Sequence, residues 1–152
     1  MAVDSRAKGA RAETQVKDKL IELTGLAWER VPSSGALDPK HGLKGDLYVP
    51  NEKNLYCVEV KHYKDDQLST SLFTAKDPIL VQWWSQAYRQ GKQVDKIPLL
   101  IFKHDRSKMF VAFEYLGVPR YQRILINVGD HCPFYVALLE DFIKYEVPEF
   151  IA

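Results

Sequence analysis

The chain has 152 residues, enough for one hydrophobic core and short for two. With 46% hydrophobic and 27% charged residues it is neither a disordered nor a fibrous sequence, and it lacks the roughly 18 continuous apolar residues of a membrane-spanning helix. The net charge of +1 is unevenly spread: residues 1–123 carry 20 Lys and Arg against 15 Asp and Glu, while 124–152 carry one against five. A cationic body with an acidic last segment is compatible with a basic surface that faces nucleic acid. A single domain over 1–152, with no membrane partner, is expected. The polar stretch Met1 to Arg11 has no apolar signal core, so the expected location is cytoplasmic. Cys57 lies in an apolar run and is expected to be a buried free thiol, unpaired with Cys132.

In chain order, Asp4 or Ser5 caps a helix predicted to run to about Thr24, with Gly25 as its stop and Ala12, Val16, Leu20 and Leu23 as its buried stripe. Leu26 to Val31 reads as a short strand. A turn-rich loop from Pro32 to Gly45 follows, with Ser33, Ser34, Lys40, His41 and Lys44. Strands are predicted at Asp46 to Pro50 and Leu55 to Lys61, joined by the turn Asn51 to Asn54. After a polar stretch come a helix from Ile79 to Gln90 ending at Gly91, then strands at Ile97 to Lys103 and Met109 to Glu114. Ile124 to Val128 and Phe134 to Leu139 read either as a hairpin or as a strand and a short helix. The expected class is α/β, with a mixed central sheet flanked by helices.

The chemistry concentrates in Gly45-Asp46 and Glu59-Val60-Lys61. Strand alternation puts Glu59 and Lys61 on one face. A four-residue hairpin loop sets Pro50 against Leu55, so opposing residue numbers sum to 105 and Asp46 falls opposite Glu59. Cβ atoms of such a pair lie roughly 5 Å apart. Two carboxylates at that distance repel, and a hard divalent cation such as Mg²⁺ resolves the conflict. Lys61, beside that ion, is placed to orient or help deprotonate a water and to stabilise charge on a phosphate. An isolated Glu-x-Lys is an ordinary solvated strand pair; the matching register of Asp46 is what makes it a site. His41 has no second His or Cys at ligand spacing and is not expected to bind metal. Gln82 and Gln86, one helical turn apart, read as polar helix surface, although one of them could point at the site. Trp83 and Trp84 face different sides, so at least one is expected in the core.

These residues resemble the PD-(D/E)XK nucleases, with Gly45 where that motif often has proline. More narrowly, the sequence resembles the archaeal Hjc-like Holliday junction resolvases and their phage relatives. The resemblance rests on Lys8-Gly9-Ala10-Arg11-Ala12-Glu13, on Arg30 with Ser33 and Ser34, on Asp46 to Val49 and on Glu59 to Lys61, and it covers about residues 5 to 103. It implies a restriction-endonuclease-like core and a homodimer that makes paired nicks in branched, four-way DNA with Mg²⁺ or Mn²⁺. It further implies that Asp46 and Glu59 are metal ligands, that Glu13 completes the site directly or through water, and that Lys61 is the catalytic lysine. Ser34, or Ser33, would assist from the loop, and Arg30 would contact phosphate or support the site. Lys8, Arg11, Arg30, Ser33, Lys40, Lys44 and Lys64 are the expected DNA contacts. Two departures stand out: a longer loop from Ser34 to Asp46, and an acidic pair, Asp65-Asp66, after Lys61 where the archaeal proteins are more basic. The expected dimer faces are Ile79 to Tyr88 and Phe134 to Phe142. The alternatives are another PD-(D/E)XK nuclease, restriction-like or acting in repair on flaps or ends, and a non-catalytic DNA-binding module. The second conflicts with the presence of all three core residues.

Overall fold

A computed structural model describes residues 5–32, 44–115, 117–118 and 120–152, and the side chains from Gly9 onward within these. The elements are α1 (Ser5–Thr24), β1 (Glu29–Arg30), β2 (Leu47–Tyr48), β3 (Tyr56–Tyr63), α2 (Ser71–Thr74), α3 (Ile79–Gln93), β4 (Ile97–His104), β5 (Phe110–Phe113), β6 (Arg123–Ile126), β7 (Phe134–Leu138) and α4 (Leu139–Glu146). All seven strands form one sheet in the order β1-β2-β3-β4-β5-β7-β6. The sheet is mixed. β3 and β4 are parallel, joined by the crossover through α2 and α3, and every other pair is antiparallel.

Two cores follow from strand alternation. On one face Val58, Val60, Leu99, Ile101, Val111 and Phe113 pack with Ala12, Val16 and Leu20 of α1 and with Phe142 of α4. On the other, Leu100, Phe102, Ala112, Ile126 and Val136 pack with Leu80, Val81, Trp84 and Ala87 of α3. Trp84 is fully buried and stacked on Phe134 at 4.9 Å, whereas Trp83 leans on Tyr63 and Phe102. Trp84 is in the core, as one of the two tryptophans was expected to be, and Leu80, Val81, Ala87, Phe134 and Val136 come from the two segments expected to form a dimer contact. They fill the chain's own core instead, because a sheet covered on both faces needs both helix layers. The large apolar side chains left exposed include Phe73, Ile124, Leu125 and Val128.

The first helix ends as expected: Gly25 adopts φ +75 and its N–H donates to the Ile21 carbonyl at 2.9 Å. The first two strands are shorter than expected, for local reasons. Leu26 N and the Trp28 indole both donate to the Thr24 hydroxyl, which keeps the start of that segment tied to the helix end. After Tyr48, the Asn54 side-chain amide takes both backbone groups of Val49, at 2.8 Å each, and ends the ladder. Leu55, expected opposite Pro50, donates instead to the Phe150 carbonyl, and Asn54 bridges Ile151. The last residues of the chain thus close over the hairpin, with Phe150 buried against Trp28 and Tyr56. Asp4, Ser33, Ser34, Lys40 and His41 lie outside the described residues.

The α3 helix does not stop at Gly91 but runs through it to Gln93, and Asp95 takes the left-handed turn at φ +53. Gly91 is there because the helix crosses its neighbour closely: a Cβ would lie 2.9 Å from the Lys96 carbonyl and 3.2 Å from Pro98. The late segment resolves as a hairpin of β6 and β7, followed by α4. Since Gly91 is chosen for space, Gly91→Ala should lower stability by about 1–3 kcal/mol despite alanine's better helix propensity. Thermal unfolding of the two proteins measures this; an unchanged or higher midpoint would show that the helix can shift at no cost.

Candidate active site

The site forms where β2 leaves β3. Leu47 pairs with Val58, which is the register that sets residue numbers opposite one another at a sum of 105. At the next position the backbone departs: the Asp46 N–H donates to the Val58 carbonyl at 2.7 Å, so Asp46 and Leu47 both address Val58. The Val60 N–H is then taken by the Asp46 carboxylate, Oδ2, at 2.7 Å. Gly45 makes the departure possible. Its φ is +84, which proline cannot adopt, and a Cβ there would meet the Val58 carbonyl at 2.6 Å.

Glu59, 5% exposed, and Lys61 share the α3 face of β3, with the Lys61 ammonium 3.9 Å from Glu59 Oε1. Glu13 approaches from α1 on the other face. Its Oε2 receives the Arg30 Nε–H at 2.9 Å, and it lies against Asp46. Arg30 therefore holds Glu13 from β1. Gln86 of α3 directs its amide at Glu59 Oε1 at 3.5 Å, the long limit of a hydrogen bond. Read as helix surface in the sequence, Gln86 belongs to the site. Its only signal there was one-turn spacing from Gln82, which instead binds the Asp77 carbonyl. Arg11 and Lys64 are exposed, while Lys44 is half-buried beside Gly45. The Lys8 side chain is outside the description.

Burial raises the Asp46 carboxyl to about 6, against the Val60 hydrogen bond that lowers it, and the Glu13 charge adds to the rise. Burial also raises Glu59, to about 8, with the Asp46 charge next and Lys61 opposing. Cys57, behind Gly45, is free and buried, and burial followed by the Glu59 charge pushes its thiol to about 12, so it is inert.

The donor set fits a hard divalent ion. Glu59 Oε2 is buried with no hydrogen-bond partner, and it stands beside a second carboxylate that repels it. Among the described residues no group of three or more His, Cys, Asp or Glu is arranged as a ready metal cage. One oxygen each of Glu13 and Asp46 is engaged, by Arg30 and by the Val60 N–H. A hard divalent ion such as Mg²⁺ is commonly held by one or two carboxylates and keeps several waters, a demand that the Asp46–Glu59 pair fits.

A carboxyl raised in the folded state contributes stability that is present below the ordinary carboxylate range and lost as pH rises through the folded value. The metal-free protein should therefore unfold more easily as pH is raised from about 5 to about 9. Glu59→Gln should flatten that fall and unfold at higher temperature near the alkaline end. Added Mg²⁺ or Mn²⁺ should stabilise the wild type more than this variant. Thermal unfolding across pH, with and without metal, reads both; parallel curves for the two proteins would mean that Glu59 carries no such burden.

Residues 4–125 match the family described as "Phage putative PDDEXK endonuclease". Protein D14 of Escherichia phage T5 is 52% identical over 117 residues, 75% of this chain and 73% of that protein. A solved structure of Hjc from Archaeoglobus fulgidus, a Holliday junction resolvase, shares 20% identity over 68% of this chain and 74% of its own, with a TM-score of 0.43. That score is too low to bear on substrate. The family match spans most of the chain and contains Glu13, Asp46, Glu59 and Lys61. The chain belongs to this phage PDDEXK endonuclease family, and is a nuclease of the PD-(D/E)XK type.

Proposed function

We propose that the protein hydrolyses DNA phosphodiesters at the Asp46–Glu59–Lys61 corner and that its substrate is a four-way junction, nicked in pairs. The observation that carries the chemistry is the buried, partnerless Glu59 oxygen beside Asp46 and Lys61. Asp46 and Glu59, with Glu13 alongside, would hold Mg²⁺, which when bound supplies Lewis-acid stabilisation of negative charge at the phosphate. Lys61 orients the attacking water and donates hydrogen bonds to a phosphate oxygen as charge develops there. Arg30 keeps Glu13 turned toward Asp46, and Gln86 keeps Glu59 in place from the opposite layer. Ser34, or Ser33, both outside the described residues, would assist.

Junction selectivity is supported by the sequence resemblance described above. Paired nicks require two sites related by a two-fold axis, so the active species is a homodimer. Its contact lies outside the buried faces of α3 and β7. The relation of this activity to recombination or repair follows from the junction substrate.

The test is a labelled synthetic junction beside a linear duplex of the same arms, incubated with Mg²⁺ or with EDTA, and with Glu59→Gln. Paired nicks near the branch point are expected in Mg²⁺ only, with the variant slower by at least about a hundredfold. Equal cutting of both substrates would replace the junction reading by a restriction-like or repair nuclease. No cutting of either would remove the catalytic reading. Equilibrium sedimentation should give twice the mass of one chain; a monomer that still nicks in pairs would discard the two-site account.

A further inference from the structure

We propose that the Tyr63 ring is a stacking surface for an unpaired DNA base next to the phosphate being cut, so that the enzyme favours DNA that is open at that point. This rests on the protein being a DNA nuclease, not on the four-way junction as its substrate. Strand alternation puts Glu59, Lys61 and Tyr63 in one row on the α3 face of β3. The Tyr63 ring meets Trp83 of α3 at 6.2 Å, which fixes it on that face. Two residues along a strand span about 6.6 Å, so Tyr63 stands that far beyond Lys61. The distance is about two base steps of duplex at ~3.4 Å each.

The ring is held from behind. Trp83 lies 6.1 Å from Phe102, the ladder partner of Lys61. Phe102 stacks on Phe110 at 5.4 Å, and His104, the ladder partner of Tyr63, lies along Phe110 at 6.3 Å. Five rings from β3, β4, β5 and α3 thus make one connected array, at the spacings of favourable aromatic pairs. Phe102 is its buried middle, and Tyr63, 42% exposed, is its open end. A ring already fixed in this way loses little freedom when it takes a ligand. Every base has a flat π face, so an exposed ring accepts any of the four. Within a continuous duplex both faces of a base are covered by its neighbours, and Tyr63 finds nothing to stack on. A base that is splayed, frayed or single-stranded offers its face. Tyr63 therefore reads the opening of the helix rather than its sequence, at a branch, a flap or an end alike. Exposed Lys64, next along the chain, faces phosphates that all DNA carries and cannot make this distinction.

The test uses the full chain carrying Glu59→Gln, so that DNA stays uncut, and measures fluorescence anisotropy of a labelled single strand, a flapped duplex, a four-way junction and a continuous duplex over a KCl series. Tyr63→Ala should weaken binding to the single strand and the flap about tenfold and to the continuous duplex by less than about twofold, as the loss of one stacked base does. The salt slope should not change, because no phosphate contact is lost. Tyr63→Phe should bind as the parent does, whereas Tyr63→Leu, which still covers Trp83 but has no π face, should bind as Tyr63→Ala does. An abasic site at the flap base should erase the difference between the parent and Tyr63→Ala. An equal loss on every DNA, or Tyr63→Leu binding as well as Tyr63→Phe, would overturn the proposal. A Tyr63 effect on flap and single strand, with the junction bound no better than the duplex, would leave it standing and count against junction selectivity alone. Cutting of the same DNAs by the wild type in Mg²⁺, measured alongside, tells failure of the nuclease reading from failure of this one.

Discussion

Two carboxylates are held in one dry corner. Glu59 is fixed by an antiparallel register that cannot slip without turning the faces of β3 inside out, since Val58 and Val60 are core residues and Glu59 lies between them, and the departure at Gly45 brings Asp46 to it. The repulsion is thus built in by hydrophobic packing, which outweighs it. The remainder of the site deals with that charge. The Val60 N–H takes one Asp46 oxygen, Lys61 faces Glu59, and Arg30 pairs with Glu13. One Glu59 oxygen is still left without a partner, and this residue of unmet demand is what a cation answers.

Much of this was legible in the sequence, because the hairpin is local. Turn length sets the register as far as Leu47 and Val58, and a period of two sets the face of Glu59 and Lys61, but Asp46, expected directly opposite Glu59, instead addresses Val58 through the departure at Gly45, which spacing did not show. What spacing could not give was anything dependent on a distant partner. Gln86 reaches Glu59 because the crossover lays α3 on that face of the sheet. Leu55 pairs with Phe150, ninety-five residues later, rather than with Pro50. Gly91 looked like a stop and proved to be a point of close approach, since a glycine's reason is written in its neighbours. Strand lengths were overestimated where polar side chains, Thr24 and Asn54, captured backbone groups that a ladder would otherwise use.

Charge is organised by the sheet as well. Net charge near neutrality concealed the fact that the end of the sheet bearing Lys61 also carries the β4–β5 turn and the start of β6, each with arginine or lysine. On that end Glu140 is paired with Lys19, while Asp105 and Asp66 lie against His62 and His104, which offset an acid only when charged, so the tally alone does not set the field toward a polyanion. Sequence order hides this, because the contributing segments come from residues some sixty positions apart.

The strand order has a bearing on descent. β7 lies between β5 and β6, and it is drawn entirely from residues beyond 125, where the family match stops. Those residues are an interior strand, not an appendage: without them Phe110 to Phe113 would lose one neighbour and Arg123 to Ile126 would have none. That stretch is therefore tied in by packing, and its last residues also close over the hairpin that carries the catalytic corner, through Phe150. A substitution beyond residue 125 is tolerated only where it still fills the same slot in the sheet.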